Sequence, residues 1–218
     1  MSARVLSIIV APILFLLFSS LTVFAETPEA GTANQAAPAE AVNAATFNSP
    51  YEEVISQTSH SIGLQGGYGF KLWQRHNFSV AEALPYIAFP ITGPVGKTLR
   101  GVLEYKVEGT IGVITQLDDR IIAGGSPVGL RYNFTGLGGR LVPYSEVTLG
   151  AVYANMPRNI QGSRFDFILS FGLGAQYFIS RRTTVNLEFR YWHLSDAGIK
   201  EPNQGDNLGF VLVGMGFY

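Results

Sequence analysis

The 218-residue sequence predicts an all-β chain: an eight-stranded antiparallel transmembrane β-barrel preceded by a signal peptide and a disordered linker. Three observations carry that expectation. From His60 onward apolar and polar residues alternate in short runs between turn signals, the period-two mark of strands with one apolar face. The apolar rows run unbroken and aromatic, as in Phe165, Phe167, Leu169, Phe171, Leu173, Ala175 and Tyr177, and the last strand closes on Tyr218. The N-terminus has the form of an export leader. A soluble lipocalin-type barrel or sandwich would show the same period with its apolar face inward. The leader and the long aromatic rows favour the membrane.

Residues 1–25 carry Arg4, then an uncharged apolar run ending Val23-Phe24-Ala25, which fits a signal peptide cleaved after Ala25. The alternative is a retained anchor, since the run is nearly long enough to span a bilayer. Residues 26–54 form an Ala/Pro-rich flexible linker, with few large apolar side chains to offset the entropy of ordering. Its alternative role is a weak partner-binding tail. Residues 55–218 form the barrel.

The chain has no cysteine, which excludes a lipoprotein anchor, a thiolate metal site, disulfides and a cysteine nucleophile. A net charge of −1 and the lack of a basic cluster with interleaved aromatics give no case for nucleic acid. No Asp, Glu or His grouping has zinc or calcium spacing, so neither metal nor cofactor is expected.

The strands follow in order. Strand one, about 60–72, sets Ile62, Leu64, Tyr68, Phe70 and Leu72 against Gly63, Gln65, Gly67, Gly69 and Lys71. Strand two, near 83–92, is the least regular, because Pro85 and Pro90 cannot donate to a ladder. Strand three, about 98–116, alternates acid and base (Arg100, Glu104, Lys106, Glu108) opposite Leu103, Tyr105 and Val107, a pattern suited to an ion-paired lumen. Strand four, about 121–134, sets Val128, Leu130, Tyr132 and Phe134 against Gly129, Arg131 and Asn133. Strands five and six occupy about 141–154 and 165–179. Eight strands make the smallest usual closed barrel, filled by side chains, so a channel is disfavoured.

The last hairpin carries the chemistry. On strand seven Val185, Leu187, Phe189 and Tyr191 share a face whose next members are His193 and Ser195, opposite Asn186, Glu188, Arg190 and Trp192. On strand eight Asn207, Val211, Val213, Met215 and Phe217 share a face. Side-chain roots two residues apart on a strand are about 7 Å apart, within reach of an imidazole and a hydroxyl. Histidine is the usual base for a serine nucleophile, with a third group fixing its tautomer. The plainer alternative is an interfacial girdle residue beside a loop-starting serine. His60 and His76 have no comparable setting.

The segment His193-Leu194-Ser195-Asp196-Ala197-Gly198, followed by Pro202-Asn203-Gln204-Gly205 and Asp206-Asn207, resembles the active-site signature of the lipid A 3-O-deacylases. The resemblance implies an eight-stranded outer-membrane barrel, both termini periplasmic, that removes an ester-linked acyl chain from lipid A of lipopolysaccharide. It implies Ser195 as nucleophile, His193 as general base then acid, and an oxyanion held by a backbone amide near Asp196–Gly198 or by Asn203. Acyl chains would lie against Phe189, Tyr191, Val211 and Met215 among outer-membrane lipid, and Lys200 is a candidate for a lipid phosphate. Where the family has its acidic residue this chain has Asn207, and where the family commonly has Asn after the serine it has Asp196. The orienting role therefore falls to Asn207, Asp206 or Asp196. A homodimer is left open. The second reading is a non-catalytic barrel serving adhesion or envelope integrity.

Overall fold

A computed structural model describes residues 47–73, 77–117, 120–203 and 205–218. The expected signal peptide, most of the linker and His76 lie outside the described residues. Among the described residues, helix α1 (Pro50–Gln57) precedes eight strands: β1 (Ser61–Lys71), β2 (Ser79–Pro90), β3 (Val102–Thr115), β4 (Arg120–Asn133), β5 (Leu141–Ala154), β6 (Phe165–Phe178), β7 (Thr183–Ser195) and β8 (Asp206–Phe217). Each pairs antiparallel with its sequence neighbour, and β8 returns to β1 to close the barrel. With an even strand number, α1 and Tyr218 share one end, and the β1–β2, β3–β4, β5–β6 and β7–β8 connections share the other. No described helix is long and apolar enough to cross a membrane. The strands are the crossing elements, because closure satisfies every ladder donor and acceptor.

The faces follow the alternation. Ile62, Leu64, Ile111, Leu149, Phe167, Leu173, Leu187, Phe189, Val211 and Val213 stand exposed on the outer wall. Strand β2 starts earlier than its prolines suggested. Pro85 falls where the β2–β3 pairing is interrupted, between Ala83↔Ile111 and Tyr86↔Glu108, with the register unchanged on either side. Strand β3 is shorter than expected, with residues 98–101 belonging to the preceding turn.

The lumen is layered, and the alternation suggested only its middle layer. At mid-height Glu146 accepts from Lys106 at 2.9 Å, Arg131 Nε at 2.9 Å and Arg190 Nη2 at 2.5 Å. Arg190 also meets Glu108 at 2.5 Å and Glu188 at 2.7 Å, while Tyr144 and Gln65 donate to Glu188 at 2.9 Å. Toward the end that carries the β7–β8 loop the filling turns apolar: Phe78, Ile122, Ile168, Trp192, Leu194, Leu208, Phe210 and Leu212 are buried together. Trp192 stands edge-on to Phe210 at 5.1 Å. Gly69 makes room for that layer, since a Cβ there would sit 2.4 Å from the Phe210 ring.

The terminus end is closed by α1, which begins within the stretch expected as linker. Ser49 caps the helix, its Oγ accepting the Glu52 N–H at 3.1 Å, and Pro50 follows at the first helical position. The Glu52 carboxylate reaches back to the Asn48 N–H at 2.6 Å, closing a near-capping box whose Ser-x-x-Glu spacing is visible in the sequence. Eight residues make a marginal helix alone. Here Val54 and Ile55 are buried with Val102, Val142 and Phe178, and Tyr51 and Tyr218 pack against them. Burial alone would raise the Glu52 pKa, but bonds from Arg100, Thr135 and the Asn48 amide outweigh it and hold the group below the usual glutamate value.

Candidate active site

The β7–β8 register runs without a bulge from Thr183↔Phe217 to Leu194↔Asp206 and sets His193 directly opposite Asn207. Both side chains point out of the barrel. His193 Nδ1 and Asn207 Oδ1 are 2.9 Å apart. Tyr191, one outward step below on β7, donates its hydroxyl to the same Oδ1, and Asn207 Nδ2 donates to the Trp73 carbonyl at 3.2 Å. Asn207 is almost wholly covered, 6% exposed, although it faces outward. Ser195 follows His193 on the same outward face, half-buried and in register with Phe167 of β6. Among the described residues no hydrogen bond joins Ser195 Oγ to the imidazole.

The loop after Ser195 is built on Asp196. Its buried carboxylate accepts the Gly198 N–H at 2.9 Å and the Lys200 N–H at 3.0 Å, and its carbonyl accepts from Ile199 at 3.2 Å. These bonds stabilise left-handed backbone at Ala197 (φ 57°) and Gly198 (φ 81°). Asn203 bridges loops: its Oδ1 lies 3.4 Å from the Asp196 N–H and 3.4 Å from Gln161 Nε2, and its backbone pairs with Gln161. Gly162 donates to the Pro202 carbonyl at 2.7 Å, so the β5–β6 loop buttresses the site. Gly205 (φ 62°) curls over the imidazole edge, where a Cβ would come within 3.2 Å of His193 Cε1. That close approach is a physical reason for the glycine of the Pro-Asn-x-Gly segment.

The expected residues are thus divided by role. His193, Ser195 and Asn207 come together on the outer wall. Asp206 points into the barrel, and the regular register gives no bulge to turn it round. Asp196 is occupied by loop amides, accepting from Gly198 and Lys200. The Gly198 N–H is spent on Asp196, so the Ala197 N–H and the Asn203 side-chain N–H are the remaining donors of the expected oxyanion set. Phe189 and Val211 face each other in register on the outer wall below the site, and Tyr191 rises beside them. Met215 pairs with Val185, eight positions from Asn207 and about 27 Å along the strand. Most of the strand thus separates Met215 from the hairpin end where His193 and Asn207 stand. Two partners were not expected: the Tyr191 hydroxyl, signalled only by its place two residues before His193, and the Trp73 carbonyl, a backbone group that leaves no mark in the sequence.

Fold and site together define a small transmembrane barrel that carries a histidine, a serine and an asparagine on its outer wall, at the end opposite its termini. The family model of lipid A 3-O-deacylase (PagL) matches residues 62–215, from β1 to near the end of β8, and the chain belongs to that family. Among solved structures it is similar to the outer-membrane enzyme PagL, at 16% identity over 71% of this chain and 97% of the other, with a TM-score of 0.53. It is equally similar to Neisserial surface protein A, at 15% identity over 73% and 97%, with a TM-score of 0.52. At such identities these two show the fold alone. A comparison with curated proteins finds no match.

Proposed function

We propose that the chain is an outer-membrane serine esterase that removes an ester-linked acyl chain from lipid A or a similar outer-leaflet lipid. The observation that carries this reading is the 2.9 Å contact of Asn207 with His193 on the lipid-facing wall, one outward step from Ser195. The family model supplies the substrate class.

In this mechanism the acyl chain lies along Phe189, Val211 and the Tyr191 ring, with its ester at the level of His193. Ser195 Oγ attacks the carbonyl carbon while its proton passes to His193 Nε2. The oxyanion is held by the Ala197 N–H and the Asn203 amide. When the intermediate collapses, the carbon–oxygen bond to the sugar breaks and the departing alkoxide takes the proton from the imidazolium. Water, deprotonated by His193, then hydrolyses the acyl-serine. An amide at position 207 offsets less imidazolium charge than a carboxylate would, a loss that a carboxylate could make good only where no acceptor faces its second oxygen.

The leader at residues 1–25 would deliver the chain across the inner membrane, and periplasmic termini would set the site in the outer leaflet. One chain suffices, because all three residues come from a single hairpin. Mass spectrometry of lipid A from cells expressing the wild type and Ser195→Ala tests the reading. Loss of one ester-linked acyl chain with the wild type alone is expected. Identical acylation in both strains would remove the proposal.

A further inference from the structure

The surroundings of Asn207 are organised around its side-chain amide. Asn207 has one acceptor oxygen and one two-proton nitrogen, and each meets a distinct kind of partner. The nitrogen faces the Trp73 carbonyl at 3.2 Å, a group that can only accept. This contact decides the amide's orientation, because turning it over would set oxygen against oxygen. Oδ1 therefore faces Tyr191 and His193 and receives the Tyr191 hydroxyl on one side. On the other side stands His193 Nδ1 at 2.9 Å, which must then carry a proton, since Oδ1 has none to give. Nε2 is left as the bare nitrogen, the form a general base requires.

From this geometry we infer that the third position of the site is built for an amide and not for a carboxylate, with Tyr191 and the Trp73 carbonyl acting as positioning groups that set the His193 tautomer through Asn207. The inference rests on the esterase reading for its meaning, but its geometry stands apart from turnover. A carboxylate at 207 would satisfy Tyr191 and His193 with one oxygen. Its other oxygen would be pressed against the Trp73 carbonyl, two acceptors with no proton between them. An acid at position 207 therefore harms this chain unless the Trp73 carbonyl moves away or the acid takes up a proton. Tyr191 thus has two functions: its ring lies on the outer wall and its hydroxyl is spent on Asn207.

The test uses the full-length barrel in detergent micelles with 15N-labelled histidine, the His193 signals being assigned with His193→Gln. In mildly alkaline buffer the wild type is expected to show the pyrrole-type signal on Nδ1 and the pyridine-type signal on Nε2. Asn207→Ala is expected to give a mixture of tautomers. Asn207→Asp is expected to lower kcat about tenfold with little change in KM, the size of one buried acceptor left unsatisfied. It should also melt below the wild type at neutral pH, with the gap closing in acid as the introduced carboxylate is protonated. A wild-type proton on Nε2, or Asn207→Asp matching the wild type in melting at neutral pH, overturns the inference. Wild-type protein that shows the Nδ1 proton and the melting pattern yet cleaves no lipid ester refutes the esterase reading and leaves this inference standing.

Discussion

Glu146 is where three buried cations converge, and its removal gives the sharpest test of the filled lumen. Lys106 Nζ, Arg131 and Arg190 lie 2.9, 2.8 and 2.5 Å from its oxygens, with all four side chains at most 2% exposed. Glu146→Ala leaves these cations unequally compensated. Arg190 keeps Glu108 and Glu188, and Lys106 keeps Glu108 at 2.6 Å. Arg131 loses the carboxylate that Nε bonds and is left with the faces of Tyr86 and Tyr144, 4.9 and 4.6 Å away, and the charge of Glu104. Breaking a buried ion pair from one side costs about 3–5 kcal/mol. With a urea slope of roughly 2 kcal/mol per molar, the unfolding midpoint should fall by about 2 M. Unfolding in micelles, followed by tryptophan fluorescence, measures it, and the double variant Glu146→Ala/Arg131→Met should recover part of the loss because the orphaned charge is gone. A midpoint shift under 0.5 M, roughly 1 kcal/mol on the same slope, would refute the burial of these charges.

Other perturbations follow from the same contacts. Because the Glu52 pKa is depressed, the helix plug gains stability that is fully present above the ordinary value of 4.5 and is lost as pH falls through the lower folded value. Hydrogen exchange at Val54 and Ile55 should accelerate over that range in the wild type, while Glu52→Gln should show no such pH dependence. Gly69→Val should drive the Phe210 ring off Trp192 and cost about 1–3 kcal/mol in the same urea assay. Asp196→Ala removes the acceptor for two loop amides. It should reduce lipid esterase turnover about tenfold, the size of one lost charge-assisted bond, while the melting of the strand ladder, which does not run through this loop, falls less than in Glu146→Ala.

What the sequence disclosed depends on how local the signal is. The outward rows on β6, β7 and β8 were legible because alternation is strict and every second residue meets lipid. The His193–Ser195 pair followed from the same count, and Asn207 from its place on the neighbouring strand. The layered lumen was less legible: Trp192 was grouped with a polar face, and only the paired strands show it meeting Leu194, Phe210 and Leu212 as one apolar layer. Helix α1 was masked by linker composition, although Ser49 and Glu52 carry a capping spacing. Asp196 could be read as an acid near a histidine, but its service to the Gly198 and Lys200 amides depends on left-handed backbone at Ala197, which composition does not reveal. The Trp73 carbonyl lies more than a hundred residues from Asn207, and nothing about a tryptophan's identity predicts where its carbonyl oxygen points.

The account stands on an outward-facing serine made reactive by its neighbouring imidazole. Incubation of the micellar barrel with a long-chain serine-reactive phosphonate, followed by peptide mass mapping, reads that directly. The account predicts a single adduct on Ser195 that His193→Ala abolishes. An unlabelled Ser195, or labelling that survives loss of His193 unchanged, would contradict it.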